Sequence, residues 1–201
     1  MKLVWKGIYR DEAQLSKGVL PDNAVPFVEP KTPMELSLKA SVWILPVAAL
    51  ALLCVYVKSL LTGQWAVPLN IIGVLLAIAA ALPHELMHAV CFPKNAVVEM
   101  YAAPKQLMAF VFSTYPVSRR RFVGLSLLPS LVLGLLPLLI WLALPDGSWG
   151  SIVFTFALIS LSLGVGDFLN SFNALRQMPK GALTQLSGFH SYWFMPQDKT
   201  K

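Results

Sequence analysis

Charge and cysteine are both scarce in this chain. Of its 201 residues only 13% are charged, ten are acidic, three are histidine and two are cysteine. Cys54 and Cys91 lie within or at the end of apolar runs and share no CxxC spacing, which excludes a disulfide framework. The residues before the first long apolar run include Lys2, Lys6, Arg10 and Lys17. They lack the short apolar core and small-residue cleavage site of a signal peptide. No internal repeat and no low-complexity tract is present, so a repeat array is excluded. The net charge of +6 comes without basic residues interleaved with aromatics on a polar surface, so nucleic acid is not an expected partner.

What the chain does have is apolar sequence. Hydrophobic residues make up 56% of it and the mean hydropathy is +0.64, more than a soluble domain of this size needs. The reading is a polytopic membrane protein with four spans: Ser41–Leu61, Ala66–Phe92, Phe122–Leu144 and Ile152–Leu175. Lys58 is placed to snorkel near the end of the first span. The short connections 62–65 and 145–151 contain no Lys or Arg. Basic residues gather instead in the N-terminal segment, in the middle loop (Lys94, Lys105, Arg119, Arg120, Arg121) and in the tail (Arg176, Lys180, Lys199, Lys201). This asymmetry puts both termini in the cytosol, with the Arg119–Arg121 run as an anchor rather than a contact for an acidic partner. The expected organisation is a cytosolic segment over 1–40, a transmembrane domain over 41–176 with a juxtamembrane loop at 94–121, and a cytosolic tail over 177–201. The expected fold class is all-α: four transmembrane helices and one small β-hairpin between the second and third.

The second span carries His84-Glu85-Leu86-Met87-His88. Residues four apart stack on one helix face, so both imidazoles can reach one metal ion. Glu85 then lies beside the metal, where a carboxylate can take a proton from zinc-bound water. Three ionisable side chains in a lipid-spanning segment are costly, which marks them as a functional site.

Among the ten acidic residues, only Glu85 and Asp167 lie deep within the expected spans. A lone Asp in lipid is protonated or paired, and Lys58 is the single intramembrane cation. A metal is the better partner, which makes Asp167 the candidate third ligand. Depth agrees: counting back from Lys94, His84 lies about 15 Å and His88 about 9 Å in, and Asp167 lies about 13–14 Å from Arg176, at the helical rise. Asn170 and Asn173 share the face of Asp167, where they orient it, bind a substrate carbonyl and its oxyanion, or bond a neighbouring helix. His190, the remaining histidine, reads as a solvated residue and as the reserve third ligand. Pro83 cannot donate its helix hydrogen bond and frees the carbonyl of Ala79 just before the motif. Gly164, Gly166 and Ala79–Ala81 permit close helix approach. In the long middle loop, 96–101 and 106–114 are rich in Val, Phe, Met and Tyr around Pro104-Lys105. They read as a hairpin that either rests on the membrane surface or offers its edge to an extended peptide.

With these residues the chain resembles the site-2 protease class of intramembrane zinc metalloproteases. It looks still more like the putative zincin peptidase family of small bacterial membrane proteins. The resemblance covers about Ala66 to Leu175. It implies a three-helix core made of the second, third and fourth spans, with His84, Glu85, His88 and Asp167 at the matching positions. It also implies membrane-associated β-structure between the first two core helices and a place in the bacterial plasma membrane. Site-2 proteases carry an Asp-Gly pair preceded by an Asn/Pro motif. Here Gly166-Asp167 is followed by Asn170, which looks like the Gly-Asp-x-x-Asn variant of the smaller family. No PDZ-like or nucleotide-binding accessory segment is present.

The expectation is therefore a zinc metalloendopeptidase acting on membrane-anchored proteins near the cytosolic leaflet, in contact with membrane lipids and no nucleotide. His84, His88 and Asp167 hold the metal and Glu85 serves as the base. Zinc suits two imidazoles and a carboxylate, as do iron and cobalt. The alternative from another class is a metal-binding, non-proteolytic scaffold or inactive homologue. A metal transporter is disfavoured, because a single cluster makes a poor translocation path.

Overall fold

The chain folds as a mixed α/β protein, with seven strands in two sheets among the described residues, not as helices with one hairpin. The computed structural model describes residues 1–30, 32–104 and 108–196. Lys105 and Gln106 of the expected hairpin, and Lys199 and Lys201 of the basic tail, lie outside them. The strands beyond the expected hairpin come from the segments flanking the spans. They escape a sequence reading because two are only two residues long and none alternates cleanly.

The described residues form two units. One comprises Met1–Lys31, Glu85–Ser126 and Asn170–Lys201 and holds both sheets. In the first sheet, β1 (Lys2–Ile8) lies parallel to β3 (Val97–Ala103), and β3 pairs antiparallel with β4 (Met108–Phe112). The expected hairpin is thus present as β3–β4, but as part of a three-stranded sheet whose other edge is N-terminal. In the second sheet the order runs β2 (Val25–Pro26), β7 (His190–Phe194), β6 (Leu183–Ser187), β5 (Val117–Ser118). Strands β6 and β7 join through the two-residue turn Gly188-Phe189. Gly188 has φ +59°, a conformation that the favoured two-residue hairpin turns demand at their first central position.

The core of the first sheet gathers Leu15, Tyr101 and Phe112, with the Tyr101 and Phe110 rings stacked 5.2 Å apart. It also buries a carboxylate. Glu99 accepts from Ser16 Oγ at 2.7 Å and from the Tyr101 hydroxyl at 2.9 Å, and it pairs with Lys6 Nζ at 3.3 Å. Burial pushes the Glu99 carboxyl up, but these three donors outweigh it and hold the group below its usual range. Burial and the adjoining carboxylate push the Tyr101 hydroxyl up to about 12.

The other unit comprises Thr32–His84 and Leu127–Leu169. Thr32 caps the start of α1 (Pro33–Ser41) through Glu35 N–H at 3.2 Å, and α1 leads into α2 (Ile44–Thr62). Helix α3 (Ile71–Ala79) follows, capped by the Asn70 side chain, and α4 (Ala81–Val90) begins after a single intervening residue. Helix α5 (Arg119–Pro129) runs through a π-helical turn, Ser130–Leu135, into α6 (Leu136–Ala143). Pro129 brings no N–H to the ladder at that point, and the wider turn accommodates the lost bond. Helices α7 (Ser148–Leu163) and α8 (Val165–Gln177) meet at Gly164 with a bend of 48°. A Cβ at Gly164 would stand 2.2 Å from Ser130 Oγ, so a larger residue here would force the serine hydroxyl to turn away.

Among the described residues three helical stretches are long and apolar enough to cross a membrane: Met34–Thr62, Ile71–Val90 and Arg119–Ala143. The bent pair α7–α8 makes a fourth if counted as one span. No more than 33% of any of these three apolar windows is buried inside the protein, which leaves a large apolar surface exposed, as is compatible with a membrane protein. Lys58 reaches the end of α6 and not open solvent. It is 4% exposed and donates to the carbonyls of Trp141 (3.0 Å) and Leu144 (2.6 Å) at the end of α6, with Asp146 at 3.5 Å. Those carbonyls stand at a helix C-terminus, where a cation is favoured by charge as well as by hydrogen bonding.

Candidate metal centre

Pro83 stands in the first turn of α4, and the helix restarts with His84 N–H bonded to the carbonyl of Ala80 at 2.9 Å. From this turn the helix projects His84, Glu85 and His88, whose potential ligand atoms lie within 4.8 Å of one another. Among the described residues this is the one group of three or more His, Cys, Asp or Glu side chains so arranged. Both imidazoles are nearly out of contact with solvent, at 9% and 7% exposed.

Each imidazole has an identifiable partner. His84 Nε2 lies 3.0 Å from Asp167 Oδ2. Asp167 sits in the first turn of α8, just past the Gly164 bend, with its N–H on the Gly164 carbonyl at 3.0 Å. Two ligand atoms sharing a tetrahedral ion at about 2.0–2.1 Å stand roughly 3.3 Å apart. The observed pair therefore needs to open by only a few tenths of an ångström to admit the metal. His88 Nδ1 is 2.8 Å from the carbonyl of Leu125. A carbonyl can only accept, so Nδ1 carries the proton and the lone pair is on Nε2. This tautomer suits ligation through Nε2, with the ring oriented by a backbone group. Two imidazoles and a carboxylate form a donor set that fits zinc. Lys58 is engaged at the end of α6 and does not neutralise Asp167.

Glu85 is oriented separately. Its Oε2 accepts from the N–H of Val111 on β4 at 3.0 Å. Since β4 is an edge of its sheet, this bond turns the outer edge of the strand toward the Glu85 carboxylate. Neither Leu125 nor Val111 was visible as a site residue in the sequence, because each acts through its backbone.

Asn170 is exposed and Asn173 half-buried, and neither side chain makes a hydrogen bond among the described residues. His190 opens β7, where its Nδ1 meets Glu29 at 3.4 Å, and it is not part of the α4 group. Arg119 of the basic run is engaged within the protein: its guanidinium donates to the carbonyl of Met178 at 2.6 Å, just past the end of α8.

Residues 77–183, just over half of the chain, match the family model described as putative zincin peptidase. The chain belongs to this family. The matched segment contains the whole of α4, the β3–β4 pair and Asp167. No curated protein and no solved structure matches the chain. The zincin description points to a zinc metallopeptidase, and the donor set on α4 and α8 has the chemistry such a family needs.

Proposed function

We propose that this zincin-family protein is a membrane-embedded zinc endopeptidase of site-2-protease type, in which His84, His88 and Asp167 hold the metal and Glu85 is the general base. The observation that carries this reading is the 3.0 Å approach of His84 Nε2 to Asp167 Oδ2, alongside a second imidazole on α4 already held in the ligating tautomer. The three core spans are α3–α4, α5–α6 and α7–α8, with both termini of the chain in the cytosol.

Bound zinc supplies a Lewis acid that polarises the scissile carbonyl and makes water a better nucleophile. The Glu85 carboxylate removes a proton from that water as its oxygen bonds to the carbonyl carbon. The same proton then goes to the departing amine as the C–N bond breaks. The bond from Val111 N–H aims the Glu85 carboxylate along the β4 edge. A membrane-anchored substrate, unwound near the cytosolic leaflet, extends along that edge by strand addition. Asn170 and Asn173 are candidates for its carbonyl oxygen.

The same Glu85–Val111 bond supports a second reading, in which Glu85 only ties α4 to β4 and the protein is a metal-binding scaffold. One pair of measurements separates them. Purified wild type is expected to contain one zinc per chain and to cut a membrane-anchored reporter whose helix is broken by glycines near its cytosolic end. Glu85→Gln should keep the zinc and lose cleavage. Glu85→Gln protein that cleaves like wild type refutes the peptidase mechanism. Full zinc in Asp167→Ala, with loss in His190→Ala, refutes the ligand assignment.

A further inference from the structure

Strand β1 contains an irregularity with a consequence for its surface. In the parallel register Trp5 pairs with Met100, but Gly7 pairs with Tyr101 and Ile8 with Ala102, so Lys6 is an extra residue. Gly7 has φ +88°, and no atom lies within 4 Å of where its Cβ would be. Glycine is needed there for the backbone and not for packing, which is the signature of a β-bulge. Without the bulge Ile8 would point to the face opposite Leu3 and Trp5, because side chains alternate. With it, Leu3, Trp5 and Ile8 share one face with Val98, Met100 and Ala102.

That face is closed at β3 and open at β1. Val98 and Met100 are buried, whereas Leu3 is 38%, Trp5 62% and Ile8 56% exposed. A bulge that lines up three apolar side chains in the open is costly in water unless something covers them. The opposite face carries Lys6 on Glu99, and Lys2 and Arg10 stand near the two ends of the strand.

The covering partner is not another strand. An edge strand is a template for pairing, but a bulge with a lysine in it interrupts the outer ladder that a second chain would use. The occupant has to follow an irregular apolar row and tolerate flanking cations. A fluid, anionic surface does both, with Trp at the level where its amphipathic ring is favoured and basic residues beside it. Such a surface is within reach. The apolar stretch Ile71–Val90 ends six residues before Ala96, whose carbonyl binds Lys2 N–H at 2.8 Å. Six residues span about 20 Å at most. The outward N–H and C=O groups of β1 still require water, which limits immersion to the headgroup layer.

We propose that β1 is a membrane-surface strand, seating Leu3, Trp5 and Ile8 in the headgroup layer of an anionic bilayer. The proposal rests on the chain being membrane-embedded. It is tested on the full chain, with Cys54→Ala and Cys91→Ala, reconstituted into phosphatidylcholine nanodiscs with and without phosphatidylglycerol. Nitroxide labels are attached at Trp5→Cys, Ile8→Cys and, as an exposed polar control, Asp22→Cys. Labels at 5 and 8 are expected to show at least a threefold higher ratio of collisions with oxygen to collisions with a water-soluble nickel chelate than the label at 22. Phosphatidylglycerol should raise that ratio further. Water-accessible labels at 5 and 8 in properly inserted protein overturn this proposal and leave the embedding intact. Labels shielded from both reagents mean that protein, a second copy included, covers the strand, and this also overturns it. Chains that do not enter the discs overturn both readings.

Discussion

Two helical glycines should respond to alanine in opposite directions, and the reason is visible at each. A Cβ on Gly73 in α3 would stand 2.6 Å from the carbonyl oxygen of Ile152, 2.7 Å from Thr155 Cβ and 3.0 Å from Phe156 N. Two of these three atoms are backbone, so no rotamer change relieves the clash. Carbon contacts are comfortable near 3.5 Å, so α3 and α7 must separate by roughly 0.7 Å. Overpacking of this kind costs about 1–3 kcal/mol. Thr155 also accepts from Asn70 N–H at 2.9 Å and donates to the Pro68 carbonyl at 3.2 Å, and losing either bond costs about 1 kcal/mol more. Against this stands the helix preference of Ala over Gly, about 1 kcal/mol. The clash wins, and Gly73→Ala is expected to be destabilised by about 1–3 kcal/mol. Gly124 in α5 has nothing within 4 Å of its Cβ position, so only the propensity acts, and Gly124→Ala should gain about 0.5–1 kcal/mol. For a chain of this size each kcal/mol moves Tm by about 2–4 °C. Thermal unfolding in mild detergent, followed by far-ultraviolet circular dichroism, reads both. A Gly73→Ala protein as stable as Gly124→Ala would refute the close α3–α7 packing.

Asp167→Asn keeps an acceptor for His84 but removes the carboxylate. Zinc affinity, measured by competition with a chelating dye, is expected to fall roughly 100-fold, while Tm of the metal-stripped protein moves little. An unchanged affinity would count against Asp167 as a ligand. Replacing Lys58 with Met removes the donor to two carbonyls at the end of α6. The expected loss is about 3 kcal/mol, read as a lower Tm; a variant as stable as wild type would show that the buried cation contributes nothing net. Glu99 is held below its usual range in the fold, so its contribution is complete above the unfolded carboxyl value of about 4.3 and is lost as pH falls through the lower folded value. Wild type should therefore lose stability on acidification below about pH 4.3, and Glu99→Gln should show a shallower acid limb. Parallel limbs would remove Glu99 from the account.

Sequence alone settled what depends on neighbours along the chain. A five-residue motif puts two imidazoles on one helix face because the helix repeats every 3.6 residues, and long apolar runs need no tertiary information to be recognised. Pro83 marked the break between α3 and α4 for the same reason, since the missing N–H is local. Tertiary structure decided what depends on partners far away. Strand β1 forms on β3 some 95 residues later, and β2 and β5 are too short to carry a pattern, so an all-α expectation became two sheets. The Leu125 carbonyl and the Val111 amide orient His88 and Glu85, yet every residue has such groups and no letter of the sequence distinguishes them. Asp167 likewise meets His84 just past a 48° bend at Gly164, which lies close to a serine thirty-four residues earlier. Helical periodicity is a property of the backbone, but the meeting of two helices is a property of their packing, and the imidazole–carboxylate contact of the candidate metal site belongs to the latter.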